Sequence, residues 1–329
     1  MKLERFKQFK ILKKSKQFMK KSKIKIVFLG TPEFSAIILE KLVKNSYNPL
    51  LVVTAPDKPV GRKQILTPSP VKIIAQKYNL PVFQPANLKN STGIHFLKLL
   101  KQKAPDLIIT AAYGQILPKK ILNIPKYGCL NVHPSLLPKY RGPAPIQAAI
   151  LNGDKKTGVT IILMDEKIDH GKIISNSQFL ISNKKITYQE LSQKLAELGA
   201  DLLIKTIPKW INNKIKPRPQ NDSKATYTKI IKKEDGKIDW SKPAQEIERK
   251  IRAFYPWPGA FTFFKKSNKI LRVKILDAII AKKENPKKLC LRCGKNYLII
   301  KKLQPESKKP MTGEDFLKGY ADFKLLKKL

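Results

Sequence analysis

Ile24-Lys25-Ile26-Val27-Phe28-Leu29-Gly30-Thr31-Pro32-Glu33 is the stretch that sets the architecture of this 329-residue chain. It is a short apolar, β-branched run closed by a glycine. A threonine, a proline and an acid then follow, which suit the N-cap and first turn of a helix. Five further runs continue the alternation: FSAIILEKLV at 34–43, LLVVTAP at 50–56, VKIIAQKYN at 71–79, DLIITAAYG at 106–114 and CLNVHPS at 129–135. Strand-like runs alternating with helical periodicity predict an open, Rossmann-like, mostly parallel α/β sheet. Only Gly30-Thr31-Pro32 follows the first strand, where a dinucleotide site needs G-x-G-x-x-G for the pyrophosphate to approach the backbone, so NAD and FAD are excluded.

The length exceeds the roughly 250–300 residues at which single cores stop growing, which predicts two domains. Residues 1–23 form a Lys-rich extension with no apolar segment of the kind a secretion signal needs, and no defined structure is expected there. Residues 24–207 carry the α/β pattern. The proline-rich, polar stretch 208–225 reads as a linker. Residues 226–329 contain GAFTFF at 259–264, ILRVKILDAIIA at 270–281, KLCLRCG at 288–294 and YLIIKKLQ at 297–304, short strand-like runs that predict a small antiparallel, OB-like β-barrel.

Lys and Arg number 67 against 24 acidic residues, a formal charge of +43 spread along the whole chain. Such a field attracts a polyanion, although a Lys-rich composition alone would produce the same sum. Three cysteines and the absence of a run of about 18 apolar residues point to a reduced, soluble, cytoplasmic protein without a membrane span. Cys290 and Cys293 form a C-x-x-C, but no second Cys or His pair lies at ligand spacing, so no metal is expected.

In a parallel sheet the working groups gather at the carboxyl ends of strands. The run Cys129-Leu130-Asn131-Val132-His133 delivers an amide and an imidazole there at i and i+2, on one face of the strand. Alone, a histidine at a strand end more often satisfies the core or meets solvent than catalyses. Here it is followed at once by Ser135-Leu136-Leu137-Pro138, then Lys139-Tyr140-Arg141-Gly142-Pro143-Ala144-Pro145-Ile146-Gln147, and later by Asp165-Glu166-Lys167-Ile168-Asp169-His170-Gly171.

With these residues the sequence resembles the folate-dependent formyltransferases. The resemblance implies Asn131, His133 and Asp169 as the catalytic set and 10-formyltetrahydrofolate as formyl donor. It places Ser135, Leu136, Leu137 and Pro138 against the folate, with the Tyr113–Pro118 turn as a second wall. A narrower set is similar to the branch of the family that formylates initiator methionyl-tRNA: GTPEFS at 30–35, APDKPVGR at 55–62, TPSPVK at 67–72 and IRAFYPWPGAF at 251–261. This implies initiator methionyl-tRNA as partner, with Arg62 reading its acceptor end and the C-terminal domain holding its body. A monomer is expected. The alternative is a formyltransferase of the same fold acting on a small amine, a glycinamide ribonucleotide or an amino sugar. Trp257, between two prolines, is expected to be packed rather than displayed.

In this reading Asn131 donates to the oxyanion that develops at the formyl carbon. His133, assisted by Asp169, stabilises the same charge, and Asp169 holds a water that relays the surplus proton toward the leaving nitrogen, with either His133 or Asp169 as its carrier.

Overall fold

The computed structural model describes residues 24–61, 63–88, 91–183, 185–266, 268–320, 322 and 324–326. The extension 1–23 lies outside them. The chain divides into two compact units, up to Asn131 and from Val132 onward.

The first unit alternates as the sequence predicts: β1 (Ile26–Gly30), α1 (Glu33–Lys44), β2 (Leu51–Val53), β3 (Lys58–Val60), β4 (Ile65–Thr67), α2 (Pro70–Lys77), β5 (Val82–Phe83), α3 (Ser91–Lys103), β6 (Leu107–Ala111), α4 (Lys119–Leu122) and β7 (Cys129–His133). Strands β5, β2, β1, β6 and β7 pair in that order, all parallel. Every residue of β1 and β6 is buried, as continuous apolar runs in a sheet covered on both faces must be. Helix α1 starts where expected, but not by a threonine cap. Pro32 occupies the cap position, and the Thr31 hydroxyl donates instead to the Tyr113 carbonyl at 3.3 Å, tying the β1 turn to the β6 turn. The short β3–β4 hairpin pairs with neither sheet and exposes Val60, Ile65 and Leu66.

The second unit adds α5 (Pro145–Leu151), β8 (Lys156–Leu163), β9 (Lys172–Leu180) and α6 (Tyr188–Ile211). Strands β8 and β9 are antiparallel and complete the seven-stranded order β5-β2-β1-β6-β7-β8-β9. The sheet is therefore mixed but mostly parallel. Helix α6 is opened by a capping box in which Thr187 and Glu190 satisfy each other's backbone amides. It runs through Pro208 to Ile211. The polar segment after it is hydrogen-bonded to the unit at several points: Arg218 exchanges both backbone bonds with Ile173 of β9, and Thr226 and Thr228 bond to the 138–144 segment.

Helix α7 (Ala244–Phe254) then leads to β10 (Ala260–Lys266), β11 (Lys269–Ala281), β12 (Cys290–Arg292), β13 (Tyr297–Pro305), β14 (Met311–Thr312), α8 (Gly313–Gly319) and β15 (Lys324–Leu326). These strands form a curled antiparallel half-barrel sheet in the order β12-β13-β11-β10-β15, with β14 beside β13. Its core gathers Trp240, Ile247, Ile251, Phe264, Val273, Leu303 and Phe316. The one polar atom of Trp240 is satisfied there by Thr262 at 2.9 Å. Among the described residues no helix is long and apolar enough to cross a membrane, and no group of three or more His, Cys, Asp or Glu could hold a metal ion.

Candidate active site

Strand β7 ends in the residues singled out from the sequence. Asn131 lies opposite Thr110 of β6, whose hydroxyl donates to Asn131 Oδ1 at 2.8 Å. That bond fixes which end of the amide is which. Oδ1 is held by a donor, so Nδ2 is the end that gives hydrogen bonds.

Two residues on, the His133 ring is buried to 4% exposure. Its Nε2 lies 2.9 Å from the Tyr140 carbonyl, an acceptor, so Nε2 carries a hydrogen. Its Nδ1 faces Asp169 Oδ1 at 3.5 Å. The ring thus stands between an acceptor on each side. The Tyr140 carbonyl is itself held in place: the Tyr140 amide donates to Thr226 Oγ1 at 2.8 Å, and the phenol bonds Asp154 and Asn152.

Asp169 sits in the turn after β8 with φ +48°, a left-handed conformation that Asp tolerates better than most side chains. Its second oxygen accepts the Gly142 amide at 2.8 Å. Gly142 has φ +105°, and a Cβ there would stand 2.8 Å from the Thr228 carbonyl, so only glycine lets this amide reach the carboxylate.

The Ser135–Pro138 segment is shaped from within. The buried Ser135 hydroxyl donates to the Lys139 carbonyl at 2.6 Å. Thr160 of β8 donates to the Ser135 carbonyl and accepts from the Leu137 amide. Leu137 is buried, whereas Leu136 and Pro138 are half-exposed. In the first unit a crevice of about 800 Å³ opens beyond the ends of β1, β2 and β6, lined by Thr31, Pro56, Leu88, Tyr113, Gly114 and Ile116 among others. Burial pushes the Tyr113 phenol far above its usual range, so it stays neutral.

Residues 24–207 match the family model described as Formyl transferase, and residues 230–321 match Formyl transferase, C-terminal domain. The chain belongs to the formyl transferase family. It is similar to the methionyl-tRNA formyltransferase of Bacillus velezensis, 46% identical over 305 residues, covering 90% of this chain and 94% of that protein. The methionyl-tRNA formyltransferase of a Geobacillus species is 45% identical over 306 residues, with 90% and 94% covered. Among solved structures, an N-formyltransferase from Helicobacter canadensis in complex with folinic acid and dTDP-3-aminofucose has a TM-score of 0.60 at 24% identity, covering 84% of this chain and 98% of its own. HypX from Aquifex aeolicus in complex with tetrahydrofolic acid has a TM-score of 0.60 at 16% identity over 90% of this chain, which spans about half of HypX, 47%. At these identities the two structures speak for the fold alone.

In this formyl transferase the remaining sequence expectations divide. Arg62 lies outside the described residues. Trp257 is not packed as expected but 53% exposed, because the flanking prolines constrain the backbone without deciding which side of it meets the core. His170 joins two carboxylates, Asp165 at 2.6 Å and Asp222 at 3.4 Å. Sequence reasoning missed Arg141 and Gln220, which hold the Asp169 turn. The only signal for Arg141 was its place beside Gly142, and Gln220 fell in a stretch read as linker.

Proposed function

We propose that this formyl transferase moves the formyl group of 10-formyltetrahydrofolate to the α-amino nitrogen of methionine esterified to initiator tRNA. The observation that carries the reading is the buried His133 ring, set between the Tyr140 carbonyl and the Asp169 carboxylate, on the strand that also carries Asn131. The nucleophile needs little activation, since free α-amino groups titrate at roughly 7.7–8.0. What must be supplied is charge stabilisation and a proton route. Asn131 donates from Nδ2 to the developing oxyanion, and the His133 ring stabilises the same charge from its place two residues on. Asp169 faces the imidazole at 3.5 Å, and the proton that the attacking nitrogen loses passes by way of this carboxylate to the folate nitrogen as its bond to the formyl carbon breaks.

The crevice of about 800 Å³ in the first unit, lined by apolar groups and by Thr31, Lys58, Asn87 and Gln115, has the size and mixed lining of a small-molecule site. Leu136 and Pro138, half-exposed on the segment that Ser135 and Leu137 anchor, are the side chains proposed to touch the folate, and Arg62 is the proposed reader of the acceptor end. We assign catalysis to residues 24–207, connection to 208–225 and grip on the tRNA body to 226–329, with 1–23 as a basic extension. The enzyme acts as a monomer in the cytoplasm, which sedimentation of the purified protein and fractionation of the source cells test directly. Incubation with the formyl donor and either initiator methionyl-tRNA, elongator methionyl-tRNA or a small amine such as an amino sugar separates the substrate classes. Formyl-methionine on initiator tRNA alone is the expected product, and turnover of the small amine alone would replace this reading.

A further inference from the structure

Asp169 has to present its two oxygens to different partners from a turn that belongs to no helix or strand. Its φ of +48° lies in the left-handed region, which Asp tolerates at some cost, and hydrogen bonds from outside the turn favour it. Gln220 supplies them. Its Nε2 donates to the Asp169 carbonyl and to the Gly171 carbonyl, each at 2.8 Å, spanning the turn from one end to the other.

The amide of Gln220 is oriented from its other side. Its Oε1 accepts two bonds from Arg141, from Nε at 3.1 Å and Nη2 at 2.9 Å. The guanidinium is 2% exposed, and its other hydrogens reach Asp222 at 2.7 Å and the Tyr227 hydroxyl at 3.1 Å. Each end of the Gln220 amide therefore faces only groups of the complementary kind, which leaves one orientation possible. Arg141 directly precedes Gly142, whose amide holds Asp169 Oδ2. The backbone of Asp169 and its carboxylate are thus fixed from one two-residue segment, through Gln220 on one side and through Gly142 on the other.

We propose that Gln220 is the positioning residue for Asp169: gripped by the buried Arg141, it fixes the 169–171 turn so that the carboxylate faces His133. The proposal rests on the reading of Asp169 as a participant in formyl transfer. A methionine or glutamate in its place gives the turn no donor. Glutamate in addition keeps Arg141 partnered, and so separates loss of positioning from loss of the buried pair.

The test uses full-length Gln220→Met and Gln220→Glu in steady-state formylation of initiator methionyl-tRNA. In parallel, 15N spectra of histidine-labelled protein are recorded, with the His133 signals identified by their loss in His133→Ala. Both variants should lower kcat about 10- to 100-fold with KM for donor and tRNA nearly unchanged, the signature of a misplaced catalytic group. In an Asp169→Asn background the same changes should have almost no further effect, since residues acting through one group are not additive. The His133 ring signals should move in the direction that Asp169→Asn moves them. Unchanged kcat, a full additional loss on top of Asp169→Asn, or unmoved His133 signals would each overturn the proposal. A wild-type protein that formylates no tRNA, while both Gln220 variants still move the His133 signals, would refute the functional reading and leave the positioning intact.

Discussion

Asn131 and Thr110 occupy one register of the β6–β7 pair, and the hydroxyl of Thr110 decides which way the amide of Asn131 is turned. Replacing Asn131 by alanine removes the oxyanion donor, and kcat should fall about 100- to 1,000-fold with little change in KM. Thr110→Val keeps the strand and its packing but frees the amide to rotate. Its effect should be near the net worth of one hydrogen bond, about 1 kcal/mol or roughly fivefold in kcat. Single-turnover rates on the two variants check both figures. Gly142→Ala is different in kind. It places a Cβ against the Thr228 carbonyl at φ +105°, so it should destabilise the fold by about 1–3 kcal/mol in urea titration as well as displace the amide that holds Asp169. The pair Asn131 and His133 was legible in the sequence because period-two alternation at a strand end is a local property. Arg141 and Gln220 were not: they are 79 residues apart, and nothing in either neighbourhood reports the other.

Among the elements, α6 is opened by a local signal that the sequence reading does not use. Thr187 and Glu190 stand at capping-box spacing, and the structure closes both bonds. Thr187→Ala should therefore cost about 1 kcal/mol of stability, read from the urea midpoint. The bonds from Thr187 hold the Glu190 carboxyl below its ordinary range. A depressed carboxylate contributes stability that is present above its unfolded pKa and lost as pH falls through the lowered folded value. The Thr187 backbone amide, the larger cause, survives in Thr187→Ala, so the wild-type minus Thr187→Ala difference should persist at neutral pH and shrink in acid only by the part the hydroxyl carries. Strands β8 and β9 were harder to read. Strand β8 is buried along nearly its whole length, so it shows no alternation, and β9 alternates because it faces solvent on one side. The segment after α6 looked like a linker because its prolines and polar residues carry no periodicity. It hydrogen-bonds to the 138–144 and 169–173 segments, which periodicity does not record.

At the scale of the whole molecule, the excess of 67 basic over 24 acidic residues becomes interpretable once a polyanionic substrate is proposed. Each phosphate neutralised releases counterions, so KM for tRNA should rise steeply between 50 and 200 mM salt, by about 10- to 500-fold for two to five phosphate contacts. KM for the formyl donor should change far less, and the two salt titrations run on one preparation distinguish substrate binding from general salt inhibition. The parallel sheet and the antiparallel sheet that follows it were both legible from strand spacing and turn residues. The exposure of Trp257 was not, since burial of a turn residue depends on packing partners far away in sequence.

Single-turnover transfer of labelled formyl from 10-formyltetrahydrofolate to initiator methionyl-tRNA, with wild type and His133→Ala run side by side, tests formylation at this site. Rapid label transfer by the wild type, reduced at least about 100-fold in the variant, is the predicted result. Equal rates in the two proteins, or no label on the tRNA with either, would contradict it.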